Sequence, residues 1–322
     1  MDYYNSDIME DEDYLHGFSK RFKAPLVDRT GTLNRDLAVI SKIPSDKAER
    51  DLNFNKITNN RAKIILKKAE DENKDIKVSY SGGIDSTAVM VALIKNRETF
   101  PKVKITVVLS KESVKEYPKF YNKYIKDKFP LIWANKKNLD KVLAKKDKKD
   151  FLIVTGELGD QLFGSALMFK DNLKDDLGKD WTKIFTPRFV RYWKPLVEQN
   201  PQKDRSVANV LWWLNFTLKY QWIQLRMFAM LGGKVPLDNF IHFFGGPRFQ
   251  RWALATPMSV KFPDLKNKKS YKDPAKQYIY NYTKDKNYLN NKTKKGSLKD
   301  NLDAPIKSTI HRITSNRELI KK

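Results

Sequence analysis

Val78-Ser79-Tyr80-Ser81-Gly82-Gly83-Ile84-Asp85-Ser86 is the stretch on which the fold turns. Ile76, Val78 and Tyr80 alternate with polar residues, the period-two pattern of a short strand, and residues 87–96 read as the helix that follows. Gly82 and Gly83 allow a tight turn between them and free backbone N–H groups to point at a phosphate. Ser81 and Ser86 add hydroxyl donors, and the helix dipole favours negative charge at its start. A bare strand-to-helix turn needs none of these, whereas Ser-Gly-Gly-x-Asp-Ser joins donors, glycines and a carboxylate in one turn. It is not a Walker A loop, because no lysine stands inside the turn.

Working outward, residues 60–72 carry helix formers with Ala62, Ile65 and Ala69 on one face and lead into this first strand. Residues 103–110 are β-rich and follow at a spacing that suits a strand–helix–strand unit, hence a parallel sheet. Residues 115–128 fit the next helix, and Leu131-Ile132-Trp133 precedes a lysine-rich helical stretch. Phe151-Leu152-Ile153-Val154-Thr155 is an uninterrupted apolar run, as expected of a strand covered on both faces. The expected fold is α/β, a doubly wound parallel sheet with a mainly helical C-terminal extension.

The last of these strands ends in a second motif, Gly156-Glu157-Leu158-Gly159-Asp160-Gln161-Leu162-Phe163-Gly164. Ligands of open α/β sheets bind at the carboxyl ends of strands. Two glycine turns there would bring Asp85, Glu157 and Asp160 around a phosphate chain, with Mg²⁺ as the natural intermediary between carboxylate and phosphate oxygens. The alternative is that Glu157 and Asp160 merely cap the next helix.

Beyond this motif the chain is aromatic and helical in pattern. Residues 207–231 contain Trp212, Trp213, Phe216, Tyr220, Trp222, Met227 and Phe228 with few breakers; such a stripe among basic residues can stack nucleobases, but aromatics at helical spacing more often pack in a core. Gly232-Gly233 ends that helix. In Tyr271-Lys272-Asp273-Pro274-Ala275-Lys276 the two lysines fall four apart and would face the same way with Pro274 in the first helical turn. Residues beyond 283 read as a solvated basic tail, and residues 1–58 as an irregular arm broken by Pro25, Gly31 and Pro44.

With 322 residues, 40% of them hydrophobic, the chain has enough apolar surface for one large or two modest cores. Lys and Arg number 63 against 38 Asp and Glu, a net charge of +25 that attracts phosphate-bearing molecules; nucleotide, nucleic acid and simple solubility all stay open. The absence of cysteine excludes disulfides, thiolate zinc sites and a cysteine nucleophile. His16, His242 and His311 are dispersed without metal-ligand spacing and read as structural or solvated. The acidic start, Asp2, Asp7 and Glu10 to Asp13, is not a signal peptide, and no apolar run approaches spanning length, so a cytoplasmic protein without a membrane partner is expected.

Two motifs carry a family resemblance. Ser81-Gly82-Gly83-Ile84-Asp85-Ser86 resembles the pyrophosphate loop of the PP-loop ATP pyrophosphatases, and Gly156 to Gly164 is similar to the Gly-Glu-Gly-x-Asp-Glu-x-Phe-Gly signature of the asparagine synthetase and β-lactam synthetase branch. Val235-Pro236-Leu237-Asp238 and the Lys272–Lys276 segment are weaker matches. The resemblance spans one domain over 59–285, with its sheet part at 59–170 and its helical part at 171–285, leaving 286–322 as the tail.

The resemblance implies adenylation: a substrate carboxylate attacks the α-phosphorus of ATP, pyrophosphate leaves, and ammonia or an amine displaces AMP. It assigns nucleotide and pyrophosphate contacts to Ser79, Ser81, Gly82, Gly83, Ile84, Asp85 and Ser86, and adenine contacts to the strand end at Val108 and to Thr155 and Gly156. Asp85 and Asp160 would bind Mg²⁺, Lys272 would stabilise charge on the transferring phosphate, and Glu157 would orient or deprotonate the amine. Leu158 and Gln161 depart from the signature, which has glycine and glutamate there. The family's cysteine-dependent glutaminase is not expected, so nitrogen would come as ammonia, as an amine, or from a separate amidotransferase. A PP-loop enzyme modifying a nucleic-acid base, or a non-catalytic nucleotide- or nucleic-acid-binding protein, is the rival reading of the same residues.

Overall fold

The computed structural model describes residues 26–33, 39–45, 53–135, 138–145, 150–164, 166–169, 173–230 and 235–293. His16, His311, Gly232, Gly233, much of the expected arm and the tail past 293 lie outside them.

Five strands form one sheet: β1 (Asp75–Ser79), β2 (Ile105–Leu109), β3 (Leu131–Trp133), β4 (Phe151–Thr155) and β5 (Phe240–His242). Their order is β3-β2-β1-β4-β5 and every pairing is parallel, with Val78 opposite Val107 on one side and Val154 on the other. The chain runs outward from β1 to β3 and then crosses β1 to lay down β4. Strand order therefore reverses between β1 and β4, and a crevice opens at their carboxyl ends, where the two glycine motifs begin. β5 went unanticipated, since three residues are too few to show a period.

The helices used below are α1 (Phe54–Asp71), α2 (Ile84–Asn96), α3 (Lys111–Glu116), α4 (Leu139–Ala144), α5 (Gly159–Phe163), α6 (Pro187–Val197), α7 (Val207–Leu214), α8 (Tyr220–Met230), α9 (Pro247–Ala255), α10 (Asp273–Thr283) and α11 (Lys286–Asn291). Side chains alternate across the sheet. Ile76, Val78, Val107, Leu152 and Val154 join a core shared with α1, α2 and α10, whereas Val108, Phe151, Ile153 and Phe240 join a smaller one closed by Leu143 of α4 and by Val235. Helices thus cover both faces, and the sheet is doubly wound. β4 is buried along its whole length, as its apolar run predicts; each such aliphatic side chain stabilises the fold by roughly 1.5–3 kcal/mol. Lys77, a polar position of the β1 alternation, is buried too: its Nζ donates to the Lys145 carbonyl at 2.7 Å and stands 3.6 Å from the centre of the Phe151 ring.

Several expected boundaries move. α1 starts at Phe54, capped by the Asn53 side chain on the Lys56 N–H at 3.1 Å, and Phe54 packs among Phe163, Phe249, Trp252 and Tyr278. A boundary at 58/59 therefore cuts a core helix. The single helix expected at 115–128 is broken at Pro118, which cannot continue α3; a short turn (Pro118–Phe120) and a π-turn (Tyr121–Ile125) replace it. The helix expected at 207–231 is likewise split, into α7 and α8, by a π-turn at Asn215–Lys219. Within the expected basic tail, Tyr288 of α11 stacks 4.2 Å from Tyr117, and Lys292 pairs with buried Glu116, so this part belongs to the fold. The aromatic stripe is core: Trp212, Trp213, Phe216, Tyr220 and Trp222 are all buried. Among the described residues no helix is long and apolar enough to cross a membrane.

Candidate nucleotide and phosphate site

The first motif leaves β1 and folds on its own hydroxyls. The Ser81 N–H donates to Ser86 Oγ at 3.2 Å, the Gly83 N–H to Ser81 Oγ at 3.3 Å, and the two hydroxyls lie 3.0 Å apart. Ser86 also donates to the Gly83 carbonyl at 3.2 Å. Gly82 has φ +74°, and a Cβ there would lie 2.2 Å from the Ser113 carbonyl oxygen of α3. That helix is held by a reciprocal capping box between Ser110 and Ser113. Gly83 is the N-cap of α2 and offers no side-chain acceptor, so the amides of a thirteen-residue helix start without a side-chain cap beside the crevice. Such an end suits an anion.

The second motif packs directly on the first, through glycine. A Cβ on Gly156 would come within 2.8 Å of the Ser86 nitrogen, and one on Gly159 within 2.4 Å of Asp85 Cγ. Leu158, where the resemblance places glycine, is left-handed at φ 72° and only 1% exposed. Strain of roughly 1–2 kcal/mol for that conformation is offset by burial of about the same size or more. Asn215, from the π-turn between α7 and α8, clamps the motif: its Nδ2 donates to the Asp160 carbonyl at 3.0 Å and the Gly164 carbonyl at 2.6 Å. The Trp212 indole N–H donates to the carbonyls of Gln161 and Leu162, each at 3.1 Å. Gln161 itself is buried and faces Asn215 Oδ1 at 3.4 Å.

Asp85 and Asp160 meet at Lys272. The Lys272 ammonium bonds Asp85 Oδ2 and lies 2.8 Å from Asp160 Oδ1. Burial alone would lower the pKa of Lys272, but the carboxylates of Asp160 and Asp85 outweigh it and raise the value, so the lysine stays charged. Lys272 itself is left-handed, φ 61°, just before α10, with Pro274 in that helix's first turn as expected. Tyr271 donates to Asp160 Oδ1 at 3.3 Å; burial, then Asp160 and Asp85, push its pKa well up and keep the phenol protonated.

Two expectations are corrected. Lys276 does not share the site with Lys272; its ammonium is taken by the carbonyls of Lys269 and Leu289. Nor do three carboxylates converge. Glu157 pairs with Arg226 of α8, and among the described residues no three His, Cys, Asp or Glu side chains are grouped so as to hold a metal. Two carboxylates completed by phosphate oxygens are the usual setting for Mg²⁺, so Asp85 and Asp160 still fit that ion.

His242 lies at the end of β5, buried and structural as its isolation in the sequence suggests. Its Nε2 faces the Gln224 carbonyl at 2.7 Å and so carries the proton, which leaves Nδ1 to accept from the Thr155 hydroxyl at 2.8 Å. Thr155 Oγ1 in turn accepts the Glu157 N–H at 3.3 Å. Burial lowers the pKa of His242, so this chain of contacts is built on the neutral ring.

Ser79, Ser81, Val108, Ser110, Ala134 and Asn135 line a small cavity at the ends of β1, β2 and β3, of about 30 Å³. That is room for water and not for a base, so adenine entering there must displace neighbouring side chains. Ile84 is a core residue of α2. A larger cavity, about 560 Å³, lies elsewhere along β5, between Lys68, Glu72, Lys74, Gln224, Asp238 and His242; it touches neither glycine motif, although Leu237 and Asp238 of the weaker Val235–Asp238 match line it.

Compared with family models and with curated proteins, the chain has no match. Asn215, Arg226 and Tyr271 are site residues that sequence reading missed. A single amide inside Val-Leu-Trp-Trp-Leu-Asn-Phe is a signal that could have pointed to Asn215; nothing in the sequence marks Arg226.

Proposed function

We infer that this chain is an ATP-dependent amide-forming ligase: it adenylates a carboxylate, releases pyrophosphate and passes the acyl group to ammonia or an amine. The observation that carries this reading is the meeting of Asp85, Asp160 and Lys272, drawn from three separate segments, beside a serine- and glycine-built helix start at the switch point of a parallel sheet. Amides and hydroxyls of Ser81 to Ser86 hold the pyrophosphate, and the charged Lys272 stabilises negative charge that develops on the transferring phosphate. Mg²⁺ held by Asp85 and Asp160 would neutralise the leaving group. Glu157, kept in place by Arg226 and by the Thr155–His242 contacts, orients the attacking amine.

The test is ATP–pyrophosphate exchange with Mg²⁺ across a broad panel of carboxylic acids. Exchange that depends on one acid in the wild type and vanishes in Asp85→Asn is the expected result; background exchange with every acid overturns the reading. A second reading places the acceptor on a nucleic acid. Trp133 favours it, being 49% exposed at the end of β3 beside Ala134 and Asn135 of the small cavity, in a chain of charge +25. AMP release that appears only with RNA or DNA would distinguish the two.

A further inference from the structure

The π-turn at Asn215–Lys219 is an unstable way to wind a helix, because its carbonyls lose the regular i to i+4 pattern. Here three of those carbonyls are taken by the segment around Arg29. Val27 N–H donates to the Leu218 carbonyl at 3.0 Å, Arg29 N–H to the Thr217 carbonyl at 3.3 Å, and Arg29 Nη1 to the Phe216 carbonyl at 3.0 Å. The rest of the guanidinium is equally occupied: Nε donates to the Ser41 carbonyl at 2.5 Å, and Nη2 to the Lys42 carbonyl at 3.1 Å and Gln250 Oε1 at 2.5 Å. Its flat face lies 3.9 Å from the centre of the Tyr220 ring. Arg29 is only 5% exposed, and although burial pulls its pKa down to about 10 it remains charged at neutral pH. On the opposite side the same turn presents Asn215 to the carbonyls of Asp160 and Gly164.

We propose that the N-terminal arm is a working part of the phosphate site: Arg29 holds the π-turn open and, through Asn215, sets the position of α5 and of Asp160. A π-turn is a helix with one residue too many. If its carbonyls lose the arm and the helix relaxes to regular winding, one flank rotates by about 100° relative to the other, the angle of one residue at 3.6 per turn. Asn215 cannot then face Asp160 and Gly164 while α7 and α8 keep their packing. Arg29 and Asn215 are positioning residues in this scheme, and neither touches substrate. The part of the proposal that concerns Asp160 and Mg²⁺ rests on the ligase reading; the coupling between arm and α5 does not.

The test uses the ¹⁵N-labelled full chain and the indole N–H resonance of Trp212, assigned by its disappearance in Trp212→Phe. That N–H is bonded to α5 carbonyls and reports the position of α5 without any ligand. Arg29→Met is expected to shift this resonance and to speed amide exchange of residues 161–164 at least about tenfold, with a cooperative melt retained. Arg29→Lys, which keeps the charge but lacks the fork to reach four acceptors, is read in its place if Arg29→Met does not fold. Binding of ATP with Mg²⁺ should weaken by about tenfold in Arg29→Met and in Asn215→Ala, and no further in the double variant, because both act along one path. An unmoved Trp212 resonance with unchanged exchange at 161–164 overturns the proposal, as does full additivity of the two substitutions. A wild type that binds no ATP overturns the ligase reading instead, and the Trp212 resonance still decides the coupling.

Discussion

Replacing Gly159 by alanine puts a methyl group where the structure has room only for the Asp85 carboxylate. The added Cβ would lie 2.4 Å from Cγ and 2.5 and 2.8 Å from the two carboxylate oxygens. Ordinary carbon–carbon contact needs about 3.5 Å, so the carboxylate must retreat by about 1 Å. The group that yields is a side-chain end and not backbone, and Asp85 is partly exposed, at 23% of its side chain, so the fold should survive. What is lost is the contact with Lys272. A hydrogen bond between charged groups contributes about 1.5–3 kcal/mol, which is roughly a 10- to 150-fold change in an equilibrium. Binding of ATP with Mg²⁺, measured by calorimetry, should weaken by about that factor in Gly159→Ala, and the free energy of urea unfolding should fall by about 1.5–3 kcal/mol with the cooperative transition retained. Wild-type affinity together with wild-type stability would refute the claim that the two motifs meet through this glycine.

Lys272→Met leaves Asp85 and Asp160 facing each other without the ammonium. It should lower stability by about 1–3 kcal/mol in metal-free buffer, and MgCl₂ should raise its melting temperature more than that of the wild type. Gly82→Ala and Gly31→Ala both force alanine into positive φ, but a Cβ at Gly31 has no atom within 4 Å whereas one at Gly82 meets backbone at 2.2 Å. Gly31→Ala should cost only about 1–2 kcal/mol by urea denaturation and Gly82→Ala clearly more, because α3 has to move. For His242 the folded-state pKa is below its ordinary value of about 6.5, so below that pH the unfolded chain binds more protons. Its contribution to stability should be complete above pH 6.5 and shrink as pH falls below it. Urea midpoints from pH 7.5 to 5.5 should drop more steeply for the wild type than for His242→Asn.

Much of the site was legible because its residues lie close together in sequence. Asp85 sits in the first turn of α2, within the motif that strand and helix periodicity frame, and Asp160 follows β4 by a handful of residues, so knowing that both strands are parallel and adjacent is enough to bring the two motifs together. The helical half was legible only as core. Helical periodicity predicts a buried segment at 207–231, and it carries no mark of the extra residue that underwinds the helix at 215–219, where residues 27–29, far away in the chain, meet the carbonyls. For the same reason the segment around Arg29 looked irregular and without purpose: its described residues are held by acceptors on another segment, not by a period of their own.

By itself, then, the sequence determined the alternation of strands and helices, the parallel sheet, and the two glycine motifs with their carboxylates, because each is written in local spacing and turn chemistry. Tertiary structure alone decided which charges meet. It gave Lys272 to Asp85 and Asp160, sent Lys276 to backbone carbonyls and Glu157 to Arg226, and set Asn215 against the second motif. Those pairings join residues up to 187 positions apart. They depend on where packing places each backbone, which no local pattern of residues encodes.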